Sequence, residues 1–343
     1  MRHIIELSSV QAREIRTLVN DGKYEDAQSF ILTAVENQLY LEKQPLDHTG
    51  PMVFSLAKSA REEPVSSLPV PTSLPSLELL NIVTVQERQP NPLDSKILWA
   101  LYNRIFPIKI SLRVLLNILK SDPNQDGYID LARVQDTAAE EAQRLRRELV
   151  RVDKKSHRMP GEKLSTGLPR AAERSRDRFK LHFVGSVNSK NSLEGAPAIL
   201  RFVNIRKNEE GLSQIGITEA GLQFAIMKNP VLDKSDYTHV LSKEESDFYL
   251  KHISNNLKEE YFLSIDVLKA IGDGHVTPDE LMKVVLDVNP NIKNAEAQAI
   301  RSSLISRLSE LGLLTRKRSG LNVTYALTKR GRAMIVTDKN RGS

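Results

Sequence analysis

The chain has 343 residues, 40% of them hydrophobic and 27% charged, a balance that fits a soluble globular protein of two or three domains. Cysteine is absent, which excludes structural disulfides, thiolate metal sites and cysteine nucleophiles and leads us to expect a cytoplasmic protein. The net charge of +6 is unevenly held: 13 Lys/Arg stand against 5 Asp/Glu between Arg144 and Lys180, and 9 against 2 between Ser306 and Arg341. Two basic zones on an otherwise acidic chain point to two polyanion-binding surfaces; the plainer reading is two solvated faces. No apolar run reaches the roughly 18–20 residues that span a bilayer. The longest, Ile108–Leu119, is interrupted by Lys109, Ser111, Arg113 and Asn117. The N-terminus carries no signal-peptide core, and no membrane partner is expected.

Residues 1–44 read as a short strand ("HIIEL"), a helix capped at Ser8 or Ser9, a "DGKY" turn and a second helix ("SFILTAVENQL"). A unit of this size buries too little apolar surface to stand alone, so it is expected to form a homodimer. Ile5, Leu7, Ser8, the turn and the second helix together resemble the ribbon–helix–helix domain of bacterial and archaeal repressors and antitoxins. That resemblance implies paired strands lying in the major groove of DNA. With Ile5 and Leu7 facing inward, Arg2, Ile4 and Glu6 face the DNA, and Arg2 suits that role. Glu6 suits it poorly, because phosphates repel a carboxylate.

Residues 45–93 hold half of the 16 prolines and show no helical or strand period. They read as an extended linker, with a short docking segment at 77–85.

Residues 94–232 are expected to form one module. Its first helix covers Ile110–Lys120. "SDPNQDGYIDLAR" (Ser121–Arg133) then imitates a calcium loop, with Asp122, Asn124, Asp126 and Asp130 at ligand spacing. Position 12 of that loop needs a bidentate carboxylate and is Arg133 here, so the stretch reads as an entry turn into a short strand and helix. "DTAAEEAQRLRRELV" (Asp136–Val150) follows as a candidate recognition helix carrying Gln143, Arg144, Arg146 and Arg147. Residues 155–200 read as an enlarged basic wing or arm with Arg170, Arg174, Arg176, Arg178, Lys180 and Phe179. Such an arm suits a minor groove, a single strand or a protein partner. "QIGITEAGLQFAI" (Gln214–Ile226) closes the module as strand, Thr-x-x-Gly and helix.

Residues 233–260 read as a connecting helix with a Ser242/Glu245 capping box. Residues 261–338 repeat the plan of the first module. "IDVLKAI" is the first helix, Thr277, Pro278 and Glu280 start the second, and Ala295–Leu311 is the third. A basic hairpin follows, then "TYALTKRGRAMIV" (Thr324–Val336), which aligns Thr328 with Thr218 and Gly331 with Gly221.

In both modules this order resembles a winged helix-turn-helix domain. The expected fold class is therefore mainly α with small β: a ribbon–helix–helix-like unit, a linker and two winged helix-turn-helix domains. The resemblance implies a recognition helix in the major groove, presenting Asn294, Gln298, Arg301, Ser302 and Arg307 to base edges. It also implies a wing that sets Arg316, Lys317 and Arg318 on phosphates, with Lys329, Arg330 and Arg332 adding to them.

No phosphate loop, nucleophile elbow, HExxH or paired-carboxylate signature is present, and no two histidines stand at metal-ligand spacing. No cofactor, metal or catalytic residue is expected. The sequence leaves open a sequence-preferring double-stranded DNA-binding protein, acting as a nucleoid-associated transcriptional regulator or architectural factor. It also leaves open a non-catalytic adaptor using winged helices for protein contacts, and an RNA-binding factor.

Overall fold

The computed structural model describes residues 82–88, 98, 101–121, 126–159, 161–188, 193–319 and 322–339, with Ile15, Thr17, Val19 and Ala27. Apart from those four residues, the expected ribbon–helix–helix-like unit, including Arg2, and most of the linker lie outside the described residues. The described residues from 82 onward form one compact unit, mainly helical with small antiparallel sheets. No helix among the described residues is long and apolar enough to cross a membrane.

The first half opens with α1 (Phe106–Ser121), β1 (Tyr128–Asp130) and α2 (Leu131–Lys155). The Asp130 carboxylate caps α2, accepting from the Arg133 amide at 2.7 Å. Val134, Ala138, Ala142, Leu145 and Leu149 recur at helical spacing along its buried face. Next come α3 (Glu173–Phe179), a π-helical turn (Lys180–Val184), a hairpin of β2 (Ser186–Val187) and β3 (Leu193–Glu194), and α4 (Ala196–Ile199). The strands β4 (Val203–Lys207) and β5 (Ser213–Ile217) complete an antiparallel sheet of order β1-β5-β4. α5 (Glu219–Ile226) and α6 (Pro230–Lys234) follow.

The second half contains α7 (Lys243–Asn256), α8 (Lys258–Gly272), α9 (Pro278–Val288), α10 (Asn294–Glu310), the hairpin β6 (Leu314–Ser319) and β7 (Asn322–Leu327), and α11 (Lys329–Lys339). The expected connecting helix corresponds to α7, and α8, which contains "IDVLKAI", starts just after it at Lys258. Both expected capping boxes are formed: Ser242 with Glu245 on α7, and Thr277 with Glu280 on α9.

The two halves share one construction. Thr218 donates its hydroxyl to the Arg201 carbonyl at 2.7 Å and accepts from the Gly221 amide at 3.1 Å. Thr328 does the same with the Gly312 carbonyl at 2.7 Å and the Gly331 amide at 3.0 Å. Each threonine amide also donates into the residue after that carbonyl, Phe202 or Leu313. Ile129 pairs with Ile215 in the first sheet, and in the second half the Tyr325 amide donates to the Val276 carbonyl at 3.0 Å.

This register corrects the placement of the first recognition helix. Leu311, Gly312 and Leu313 close α10, with the Leu313 amide reaching back to Leu308. Leu200, Arg201 and Phe202 close α4 in the same way, with the Phe202 amide reaching back to Pro197. The element that leads into the first hairpin is thus the single turn of α4. Asp136–Val150 belongs to α2, which begins directly after β1 as α9 begins after Val276. Its unbroken apolar stripe leaves no helix–turn–helix break between Val134 and Asp136.

The described part of residues 155–200 is mostly helical, with the short hairpin β2–β3 in place of an enlarged basic wing. This insertion is anchored by Phe179, Phe183 and Val184, all buried, and the hairpin that precedes α5 is β4–β5.

One hydrophobic core runs through both halves. Polar groups reinforce the seam. Arg307 of α10 pairs with Glu260 of α8 at 2.6 Å and donates to the Tyr102 and Leu98 carbonyls. Glu260 also accepts from the Leu98 amide at 3.0 Å. The Glu310 carboxylate accepts from the Ile105 and Phe106 amides at the start of α1.

On α1, Lys109 and Arg113 are wholly buried. Lys109 pairs with Glu245 at 2.8 Å and donates to the Phe224 and Met227 carbonyls. Arg113 pairs with Asp233 at 2.8 Å and donates to the Ala225 and Met227 carbonyls. The cations that interrupt the apolar run of α1 satisfy the carbonyl end of α5.

The expected docking segment is present at its C-terminal end. The Val85 amide donates to the Ile217 carbonyl at 2.8 Å, and the Val85 side chain covers Gly216, where a Cβ would lie 2.5 Å from it.

Candidate nucleic-acid interface

The candidate interface is built on α9, α10 and the β6–β7 hairpin. Thr277 caps α9, and its hydroxyl holds the Glu280 carboxyl below the ordinary carboxylate range. Five residues, 289–293, connect α9 to α10.

α10 is divided by face. Ala297, Ile300, Arg301, Ser303, Leu304, Ile305, Arg307 and Leu308 are buried. Asn294, Gln298 and Ser302, four residues apart, are exposed in one stripe. That stripe is uncharged and carries both donors and acceptors.

Arg301 and Arg307 are therefore removed from the set of candidate base contacts. Arg307 is 1% exposed and its guanidinium is engaged by Glu260, Ser303 and two carbonyls. Taking it to a DNA surface would leave Glu260 as an uncompensated buried charge. Arg301 is 7% exposed. Spacing alone cannot separate inward arginines from outward ones on a helix whose neighbours are unknown.

The β6 strand shows one buried residue, Leu314, followed by five exposed ones. Arg316, Lys317 and Arg318 pair opposite Tyr325, Thr324 and Val323. Period two puts Arg316 and Arg318 on one face of the hairpin and Lys317 on the other. Beside the hairpin, Lys329 and Arg332 are exposed on α11. Arg330 donates to the Leu311 carbonyl at 2.9 Å and pairs with Asp247 at 2.6 Å, which ties α11 to the end of α10 and to α7.

The first-half candidates are spread over two elements. On α2, Arg147 is exposed, while Gln143, Arg144 and Arg146 are half-buried, and Arg144 pairs with Glu141 at 3.2 Å. On the insertion, Arg174 and Arg178 are exposed, Arg176 is half-buried and Lys180 pairs with Asp136.

The carboxylates of the would-be calcium loop have structural partners. Asp130 caps α2, while Asp126 accepts from the Tyr128 amide and pairs with Arg206. Asp122 and Asn124 lie outside the described residues. Among the described residues, no group of three or more His, Asp or Glu is placed to hold a metal ion.

Two exposed cations were missed in the sequence, Arg206 and Lys207 on β4. Extending the Thr218/Thr328 alignment backwards finds them, because "FVNIRK" then falls on "GLLTRK", with Arg206 on Arg316 and Lys207 on Lys317. Arg206 also stacks over the Tyr128 ring at 3.8 Å. No protein-family model matches this chain, and neither does any curated protein or solved structure.

Proposed function

We propose that the chain is a non-catalytic, sequence-preferring double-stranded DNA-binding protein, a transcriptional regulator or architectural factor. The observation that carries the reading is the pairing of an exposed Asn294–Gln298–Ser302 stripe on α10 with three consecutive exposed cations on β6. In this reading the second half is a winged helix-turn-helix. α10 enters the major groove, where amide and hydroxyl side chains discriminate base edges. Arg316, Lys317 and Arg318 contact phosphates, which fix register and make affinity depend on salt. The first half, whose counterpart of α10 is one turn of helix, serves as scaffold and carries added cations. Residues 1–44 supply a homodimer interface.

The test is a mobility-shift titration of the full chain against fragmented genomic DNA at several salt concentrations. A shift that weakens steeply with salt and persists against competitor for a subset of fragments is expected. An absent or salt-independent shift refutes DNA binding and leaves the adaptor reading. RNA outcompeting duplex DNA selects the third reading.

A further inference from the structure

We propose that the end of α2 and the loop after it form a second phosphate-binding element, acting with the β6–β7 hairpin on one DNA duplex; this rests on the DNA-binding reading above. The two basic zones stand far apart in sequence but meet in the fold. Gly161 has φ +99°, and a Cβ built on it would stand 3.0 Å from Arg316 Nη1. The loop therefore runs directly beside the face of β6 that carries Arg316 and, two residues on, Arg318. Arg104 fixes it there, donating to the Gly161 carbonyl at 2.7 Å.

The loop is held from within by Asp153. Its buried carboxylate accepts from the Leu164 and Ser165 amides at 2.9 and 3.1 Å and pairs with Arg158 at 3.4 Å. That negative charge is neutralised inside the loop and does not reach the surface. The outward charges at the end of α2 are Arg151, Lys154 and Lys155, all exposed and spaced to share one face. Glu162 is the exposed acid of the loop, and Lys163 follows it half-buried. Arg151, Lys154 and Lys155 form a cationic strip at the end of α2, and the loop that follows it reaches Arg316 at Gly161. Among the described residues there, Met159 is the exposed large hydrophobic, and cations outnumber it, unlike a protein-binding hot spot built on apolar anchors. A phosphate backbone, repeating its charge along a line, fits such a strip.

Lys154 and Lys155 also complement the carbonyl end of α2. A purely structural role leaves the salt dependence of DNA binding untouched, so that is the readout. Full-length wild type, Lys154→Gln/Lys155→Gln, Lys154→Arg/Lys155→Arg and Arg316→Ala/Lys317→Ala/Arg318→Ala are titrated with a mixed-sequence DNA duplex at several salt concentrations. Removing one cation from a phosphate lowers the log–log salt slope by about 0.9. The glutamine pair is expected to lower it by about 2. Between about 50 and 200 mM salt, wild type then loses about tenfold more affinity than this variant does. The arginine pair keeps the wild-type slope. An unchanged slope in the glutamine pair, with a reduced slope in the hairpin variant, overturns this inference and leaves DNA binding through the hairpin intact. An arginine pair that behaves like the glutamine pair also overturns it. Wild-type slopes in both the glutamine pair and the hairpin variant overturn this inference together with the assignment of β6 to phosphates, whereas an absent or salt-independent shift in the wild type refutes the DNA-binding reading itself.

Discussion

Gly331 is pressed against Leu313: a Cβ on Gly331 would lie 2.1 Å from the Leu313 carbonyl oxygen. Gly221 stands in the same relation to Phe202, at 1.9 Å. In both halves the closing helix crosses the start of the hairpin at backbone contact, and only glycine permits that approach. Gly331→Ala and Gly221→Ala are each expected to destabilise the unit by about 3 kcal/mol, at the upper end of overpacking costs. Urea denaturation measures this; an unchanged midpoint in either variant would mean that the backbones do not meet there.

Arg201 and Gly312 occupy matching positions after α4 and α10, with φ of +56° and +72°. The left-handed conformation costs a residue with a Cβ roughly 1–2 kcal/mol, partly offset by the greater freedom of glycine in the unfolded chain. Arg201→Gly is therefore expected to raise stability by about 0.5–1 kcal/mol. A lower thermal midpoint than wild type contradicts the equivalence of the two sites.

The Arg307–Glu260 pair is buried on both sides. Arg307→Met leaves a buried carboxylate without its cation and is expected to cost about 3–5 kcal/mol. Adding Glu260→Met recovers part of that loss, with a coupling of about 1 kcal/mol or more in the double-mutant cycle. Full recovery is not expected, because the Leu98 and Tyr102 backbone groups lose their partners. Additive losses would place Arg307 outside the core.

Burial, with Arg113 close by, lowers Lys109 to about 8 from the ordinary 10.5, although Glu245 opposes the shift. Between those two values the unfolded chain keeps a proton that the folded chain has released. Unfolding then takes up protons, so this group's contribution to stability rises with pH across the window. In Lys109→Met/Glu245→Gln that slope disappears. Urea midpoints of the two proteins should diverge between about pH 8 and 10.5. Parallel curves would show that Lys109 titrates at its ordinary value.

For DNA, the α10 stripe and the β6 cations are expected to fail differently. Gln298→Ala/Ser302→Ala relaxes sequence preference by about 1–3 kcal/mol for each base that is no longer read and leaves the salt slope unchanged. Arg316→Ala/Lys317→Ala/Arg318→Ala weakens binding to all sequences and flattens the slope. If the hairpin variant instead changes sequence preference at constant slope, the assignment of β6 to phosphates is wrong.

Residues 1–44 are expected to set the oligomeric state. Deleting them should halve the mass seen by light scattering. An unchanged mass places the dimer interface elsewhere or refutes it.

The local rules were written in the chain. Thr277, Pro278 and Glu280 announce the start of α9, Ser242 and Glu245 that of α7, and the two Thr-x-x-Gly segments announce the repeat. These signals act over three or four residues, so they survive without knowledge of neighbours. Arg133 at the closing position of the calcium-like loop was equally legible, because a missing ligand needs no tertiary context. What only the tertiary structure decided concerns groups distant in sequence. In the sequence Lys109 and Arg113 only interrupt an apolar run and Arg307 reads as a candidate base contact, until carboxylates at Glu245, Asp233 and Glu260 are brought to them. The Ala/Glu-rich composition of Asp136–Val150 matches α10, yet position relative to β1 makes it part of α2, since a helix takes its role from what it packs against. The meeting of Gly161 with Arg316 depends on the common core that fuses the halves, and no local pattern encodes a contact made across that core.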